Sequence, residues 1–414
     1  MCMLDSSLLR EHPELIQKAL RDRAMDFDIR ALLTLDEERR TLLKHLEGLR
    51  ADRNSRSKEK PSQAEIARLK KLSETIKQAE EELTTLLSSY HDALLRIPNI
   101  PDKSVPIGKD DTGNKVLKKW GKKSTLKKPR EYFDLPSVQP YFELDRGART
   151  SGARFYYLRG PLALLEHALM RYAVDFITKK GFELLVTPIL VQESALLGTG
   201  YFPNGRQEVY AVNPGQDDLY LIGTSEQAIT AFHQQELLEA DDLPRRYTAC
   251  TPCFRREAGG YGKDTRGILR VHQFNKVEMV VFSKPDDSWK ILTEMIAISQ
   301  EFYQSLGIPY QLVALCTGDL GFQSAKTIDI EGWFPGQGRY RELGSASNTT
   351  DFQARRLNIR FKNEKGEKQF VHTLNNTVVA DRALLAILEN QQQKDGSVVV
   401  PTVLQKYTRF KKVG

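Results

Sequence analysis

The sequence predicts an α+β protein, an N-terminal antiparallel coiled-coil hairpin followed by a larger antiparallel-sheet domain. Two observations point there. Apolar residues fall on heptad spacing through two stretches of the first hundred residues, separated by a polar break with Pro61 inside it. From about Arg130 onward, short strand-like runs alternate with loops and a few helices. Dense strands joined mostly by hairpin-like loops favour an antiparallel sheet with helices packed on it. The chain divides accordingly into residues 1–110 and 111–414.

Leu8, Leu9, Ile16, Ala19 and Leu20 predict a short amphipathic helix. Leu32, Leu35, Leu42, Leu46 and Leu49 then form a narrow seam, with Arg39 at one seam position. After NSRSKEKPSQ the seam resumes through Leu69, Leu72, Ile76, Ala79, Leu83, Leu86, Tyr90 and Leu94. At helical rise the two arms span roughly 40–50 Å. Pro98 and Pro101 stop the second helix. Around the turn lie eight basic residues: Arg50, Arg53, Arg56, Lys58, Lys60, Arg68, Lys70 and Lys71. Only three acids, Asp52, Glu59 and Glu65, share that window, whereas Glu80, Glu81 and Glu82 crowd the stem. A spacer or dimerisation element is the bland reading, but a basic tip on an acidic stem fits a phosphate-binding arm. Residues 101–129 are Lys-rich and poor in large apolar side chains, which predicts a linker.

In the second domain, residues 160–181 read as an amphipathic helix stopped by Gly181. FELLVTPIL follows as a strand whose Pro188 suits an edge or an interface. DLYLIGTSEQ, VEMVVF, KTIDIEGWF and KQFVHTLNN read as further strands, and residues 381–393 as a helix with one apolar face.

Composition narrows the function classes. The 414 residues are 40% hydrophobic and 28% charged, ordinary for a globular protein. No apolar run approaches the ~18 residues of a membrane span, and MCMLDSSLLREHPEL lacks a secretory core, so a cytosolic location and no membrane partner are expected. Four cysteines make no disulfide framework. Cys250 and Cys253 form a C-x-x-C pair with no second pair to complete a zinc site, so packing in a strand is expected and zinc is not. The net charge of +7 fits a polyanionic partner. Neither a P-loop nor a dinucleotide glycine fingerprint is present, so any nucleotide must bind on the sheet.

Chemistry concentrates in PCFRREAGGYGKDTRGILRVHQF, Pro252–Phe274. Five basic residues (Arg255, Arg256, Lys263, Arg266, Arg270) share this stretch with four glycines. In an extended strand Arg255 and Glu257 share one face and Arg256 takes the other. With Arg270 and Phe274 on the returning strand, the hairpin offers two guanidinium forks, a carboxylate acceptor and an aromatic plate. That set suits a purine nucleotide; a charged surface hairpin is the alternative.

PCFRREAG and TRGILRVHQFNKVEM resemble motif 2 of the class II aminoacyl-tRNA synthetases, in detail the seryl-tRNA synthetase family. GFELLVTP is similar to motif 1, and NNTVVADRALLAILEN to motif 3. GTGYFPNG, LIGTSEQ, GDLGFQSAKTIDIEGWFPGQGRYREL, SNTTDFQARRLNIR and DGSVVVPTVL also resemble that family's segments, so the likeness covers essentially the whole chain. It implies the class II antiparallel-sheet catalytic domain, a homodimer, ATP and magnesium, L-serine, and serine tRNA with selenocysteine tRNA as a further substrate. Arg255, Arg270 and Arg382 would be catalytic. Arg255, Arg256, Glu257, Val271, Phe274, Arg341, Glu342, Leu343, Gly344, Ser345 and Arg382 would surround ATP, with Glu342 and Ser345 on magnesium. Thr224, Ser225, Glu226, Glu278 and Thr377 would hold serine. The basic hairpin would grip the long variable stem of the tRNA. The sequence departs from the family pattern in motif 3, where Arg382 follows Thr377 by five residues, one fewer than usual, with Asp381 beside it. The shorter turn predicts that Arg382 rotates away from the adenine and pairs with Asp381. Gly344 and Ala346 also stand where serine and cysteine are common.

Overall fold

The computed structural model describes residues 6–56, 62–258 and 266–414. Contacts divide the chain into two compact units, 2–98 and 99–414.

In the first unit, helices α1 (Ile29–Arg56) and α2 (Gln63–Leu95) pair side by side. Leu46, Ile76, Ala79 and Leu83 are buried between them, with Leu42, Leu49 and Leu72 packed alongside. The polar seam position is accommodated locally: the Arg39 guanidinium lies 4.9 Å above the Tyr90 ring and donates to Asp36 at 2.6 Å. Ser62 caps α2 by accepting the Glu65 N–H. The amphipathic segment ahead of the hairpin is two helices, Ser6–Glu11 and Pro13–Asp22. Pro13 opens the second of them, at the first-turn position proline tolerates.

The second unit is built on an eight-stranded sheet among the described residues. Its strands are β1 (Lys115–Trp120), β2 (Glu183–Leu184), β3 (Arg245–Phe254), β4 (Gln273–Ser283), β5 (Tyr310–Ala314), β6 (Lys326–Phe334), β7 (Arg339–Asn348) and β8 (His372–Ala380). Their spatial order is β1-β5-β6-β7-β8-β4-β3-β2. All neighbours are antiparallel except β2, which lies parallel to β3. The run VEMVVF is apolar because β4 is buried on both faces. Val277, Met279 and Val281 join the core formed with α3 (Pro161–Thr178), α5 (Ser288–Ser305) and α6 (Arg382–Asn390). Val280 and Phe282 join the core under α4 (Ser225–Ala231).

Four expectations are corrected. The expected linker contains β1, paired with β5 from Lys115↔Ala314 to Trp120↔Tyr310. As an outer strand with exposed side chains it carries lysines, so it shows no apolar alternation. Asn99, just ahead of that stretch, also packs in the second unit, its side-chain amide donating to the carbonyls of Gln323 and Thr349. FELLVTPIL contributes only Glu183–Leu184 to the sheet, and DLYLIGTSEQ turns from a short strand, Leu219–Leu221, into α4. KQFVHTLNN is split between Lys368–Phe370 and β8.

Cys250 and Cys253 both lie on β3, an odd number of residues apart, so their side chains leave opposite faces and cannot share one ion. Among the described residues no helix is long and apolar enough to cross a membrane.

Glu389 ties α6 to two loops. Its carboxylate, fully buried, accepts the backbone N–H of Tyr132 at 3.2 Å and of Gly336 at 2.8 Å. Burial pushes this carboxyl up to about 7. Glu389→Ala leaves both N–H groups without an acceptor. We expect urea unfolding of the protein to show a loss of about 2–4 kcal/mol in this unit.

Candidate active site

Strands β3 and β4 place the basic hairpin. Their register runs from Phe254↔Gln273 to Arg245↔Phe282, so the loop between them leaves the sheet at Phe254 and returns at Gln273. Arg255 therefore lies just beyond the strand rather than inside it. Its backbone N–H still reaches the His272 carbonyl at 2.9 Å, which closes the hairpin neck. Glu257 has φ +50, so simple alternation does not describe its direction. The returning limb is fixed by Tyr132, whose hydroxyl accepts the Ile268 N–H at 2.7 Å. Gly267 makes this possible. Its φ is +71, and a Cβ there would sit 2.0 Å from the Tyr132 oxygen. Lys263 lies outside the described residues.

One cleft collects Arg255, Glu257, Arg270, Val271, Phe274, Glu342, Leu343, Gly344, Thr377 and Arg382. Lys276 and Asp381 line it too. The Arg255 guanidinium lies 5.4 Å from the Phe274 ring centroid and donates to the Gly223 carbonyl at 3.2 Å. Arg270 pairs with Glu257. Arg382 donates from one nitrogen to the Glu342 carbonyl at 2.8 Å and to its carboxylate at 3.2 Å. Burial works to raise the Glu342 carboxyl, but Arg382, Arg255 and Lys276 outweigh it and hold it below its usual range. Leu343 is held from behind by the Tyr303 hydroxyl, which donates to its carbonyl at 3.2 Å. Gly344 has a steric reason: a Cβ there would approach the Thr377 carbonyl to 2.8 Å.

The expected swing of Arg382 onto Asp381 does not occur. Arg382 lines the cleft and binds Glu342, while Asp381 accepts from the Tyr156 hydroxyl and the Asn275 N–H. The shortened turn is absorbed because Asp381 takes helical dihedrals at the start of α6.

At the floor a second cluster forms. Glu278 and Thr377 are opposite each other on β4 and β8, and the Thr377 hydroxyl donates to Glu278 at 2.9 Å. Thr224 caps α4 and accepts a hydrogen bond from Lys276 Nζ at 2.6 Å, and Lys276 also pairs with Glu278. Glu226 is held by the Tyr201 hydroxyl at 3.0 Å and the Gln353 amide at 2.8 Å. Its carboxyl is raised by burial and by the charge of Glu278. Lys276, Tyr201 and Gln353 were not anticipated. Lys276 had a signal: it alternates with Phe274 and Glu278 along one strand. Tyr201 lies in a loop and Gln353 on the helix Phe352–Leu357; both fall in the family-like segments GTGYFPNG and SNTTDFQARRLNIR, but nothing in those segments pointed to Glu226.

Other expected residues are not among the side chains lining the cleft. Ser225 is fully buried at the start of α4 and is not among the cleft-lining side chains. Arg256 is held through its backbone N–H by the Glu208 carbonyl and is not among them either. Arg341 donates to Gln337 at 2.9 Å and also lies off the cleft lining. Ser345 pairs with Asp329 across β6 and β7, three residues from Glu342 and on the far side of the register shift between them. Asp329 is pushed well up by burial and by the Glu342 charge, while its bond to Ser345 opposes the shift. Its Oδ1 has no hydrogen-bond partner.

On the helical hairpin, several basic residues are engaged. Arg50 donates to Glu80 at 2.7 Å, Arg56 to Asp52 at 2.8 Å and Glu65 at 3.1 Å, and Arg68 lies 3.9 Å from Glu65. Arg53 is half-buried, while Lys70 and Lys71 are exposed; Lys58 and Lys60 lie outside the described residues.

Residues 3–101 match the seryl-tRNA synthetase N-terminal domain, and residues 209–391 the tRNA synthetase class II core domain of the G, H, P, S and T type. A serine–tRNA ligase from Thermodesulfovibrio yellowstonii is 44% identical over 420 residues, covering 98% of each chain. One from Cenarchaeum symbiosum is 45% identical, covering 98% of this chain and 99% of the relative. Among solved structures, seryl-tRNA synthetase from Pyrococcus horikoshii complexed with ATP superposes with a TM-score of 0.92 at 40% identity, covering 99% of both chains. The helical hairpin, the antiparallel sheet and these full-length likenesses agree: the chain belongs to the seryl-tRNA synthetase family of class II aminoacyl-tRNA synthetases.

Proposed function

We propose that this protein is a serine–tRNA ligase, which activates L-serine with ATP and transfers the seryl group to the 3′ end of serine tRNA. The observation that carries this reading is the cleft in which Arg255, Glu257, Phe274 and Arg382 converge above Lys276 and Thr377. In the first step a serine carboxylate oxygen attacks the α-phosphorus and pyrophosphate leaves. The carboxylate, with a pKa near ~3.5, is ionised at neutral pH and needs no base. The protein must instead offset charge repulsion and hold an in-line geometry, which fixed guanidinium groups do. Arg255, packed between Phe274 and the Gly223 carbonyl, is held for the α-phosphate. Phe274 and Arg382 take the two faces of the adenine, and Glu257 accepts from its amino group. Arg270 stays close by, paired with Glu257.

Charge counting at the floor supports the amino-acid assignment. Glu226 and Glu278 face a single ammonium, Lys276, which leaves one negative charge unbalanced. The ammonium of serine would neutralise it, and Thr377 with Glu278 would bind the hydroxyl. A site that binds the hydroxyl rejects alanine by roughly 10⁴-fold, since a buried polar group would be left unpaired. In the second step the terminal ribose hydroxyl of the tRNA attacks the seryl carbonyl, AMP leaves, and a phosphate oxygen takes the proton.

Glu342, Ser345 and the nearby Asp329 present hard oxygen donors, and Asp329 Oδ1 has no hydrogen-bond partner. Such donors fit a magnesium ion, which would neutralise charge on the triphosphate. The helical hairpin would bind the tRNA through phosphates and shape. A homodimer in the cytoplasm, with the hairpin of one subunit serving the other's active site, completes the proposal.

The purified protein should catalyse serine-dependent exchange of pyrophosphate into ATP; a folded protein without such exchange would favour a non-catalytic paralogue. Arg255→Ala should lower the exchange rate by ~10²–10³-fold. The double variant Lys70→Ala, Lys71→Ala should raise KM for serine tRNA and lower the salt slope of tRNA binding by roughly two. Exchange, which needs no tRNA, should proceed in it at the parent rate.

A further inference from the structure

Asp381, the acid beside Arg382, is 4% exposed and lies against the adenine side of the cleft. Its Oδ2 accepts the Tyr156 hydroxyl at 2.7 Å and the Asn275 backbone N–H at 3.0 Å. The Asn275 side-chain amide donates to Glu166 Oε1 at 2.8 Å, and Glu166 is 7% exposed. Two buried carboxylates thus grip one residue, and that residue follows Phe274 in the chain. Asp381 itself precedes Arg382. Asp381 thus adjoins Arg382, and Asn275, which both acids bind, adjoins Phe274.

Asp381 Oδ1 has no hydrogen-bond donor. Two buried carboxylates this close do not both ionise cheaply. A proton on Oδ1, donated to Glu166, satisfies the orphan oxygen and removes the repulsion. We propose that Asp381 and Glu166 are positioning residues for the adenine side of the cleft, fixing Phe274 through Asn275 and Arg382 through its chain neighbour Asp381, while one of the two acids is protonated. The proposal rests on the nucleotide reading of the cleft.

The surroundings agree. Burial, and then the charge of Glu166, push the Asp381 carboxyl up to about 7. Burial pushes the Tyr156 hydroxyl well up, so it remains a donor, and pushes the Cys250 thiol on β3 up to about 11, so it remains neutral. On α3 the exposed His167 ring lies 4.0 Å from Glu166. Arg382 on α6 is turned to Glu342. As pH rises through the raised carboxyl the pair gains a second negative charge. The carboxylates then separate, Asn275 can no longer satisfy both, and Arg382 is drawn toward Asp381. Adenine binding weakens with rising pH.

Adenosine tests this, because it carries no phosphate and no group that titrates near neutrality. Its affinity for the intact protein is read by calorimetry between about pH 6 and pH 8. The parent should lose about tenfold in affinity across that range. Asp381→Asn accepts the same two hydrogen bonds and donates its amide to Glu166, so its affinity should stay tight and flat. Glu166→Gln should behave alike, and His167→Gln should keep the parent slope. Asp381→Ala should bind weakly throughout. KM for serine should not follow the adenosine profile in any of them. A flat parent profile overturns the proposal, and so does a slope that survives in Asp381→Asn and Glu166→Gln or vanishes in His167→Gln. If serine-dependent exchange proceeds while the adenosine profile is flat, only the acid pair falls. Adenosine that binds at no pH overturns both the pair and the nucleotide reading.

Discussion

Positive charge can be stored in a buried cleft only if each cation has a counter-charge or another electron-rich partner before its ligand arrives. Nearly every choice around the cleft follows from this constraint. Arg270 is matched by Glu257, Arg382 by Glu342 and Lys276 by Glu278. Arg255 leans on a carbonyl and an aromatic face instead. Lys276 and Glu278 share β4, Arg270 and Glu257 share the loop between β3 and β4, and Arg382 on α6 reaches Glu342 on β7, so the strands and α6 must be in place before the charges balance. Fold and site are specified together: a slip of β4 against β8 would part Glu278 from Thr377 and turn Lys276 to the wrong face.

The same constraint gives the site its preorganisation. The guanidinium groups are already oriented by carboxylates, so a nucleotide meets dipoles and charges that need little rearrangement. A lone surface arginine would lose that orientation to solvent and to its own rotamer freedom.

Much of this was legible in the residues, unevenly. Heptad spacing located both arms of the hairpin, because a narrow seam leaves a strict periodic trace. The Arg255–Phe274 hairpin was legible because guanidinium, carboxylate and aromatic groups lie within one local stretch. Lys276 was missed although its alternation with Phe274 and Glu278 was visible. The roles of Tyr201 and Gln353 could not be read, since they reach Glu226 from a separate loop and a separate helix that only the folded chain brings together. Arg341 was expected in the cleft but donates to Gln337. That expectation came from the family resemblance alone, not from any pattern in the residues. The turn before Arg382 was read as a defect, yet Asp381 finds partners in Tyr156 and Asn275 that lie more than a hundred residues away.

The outermost strand, β1, was hidden for a reason that has its own consequence. An unpaired strand margin offers bare backbone donors and acceptors to any passing extended segment. Lys115, Lys118 and Lys119 line that margin with like charges, so a second molecule approaching there meets repulsion before it can zip on. The composition that disguised the strand as a tether is also a guard against runaway association at the concentrations a cell reaches.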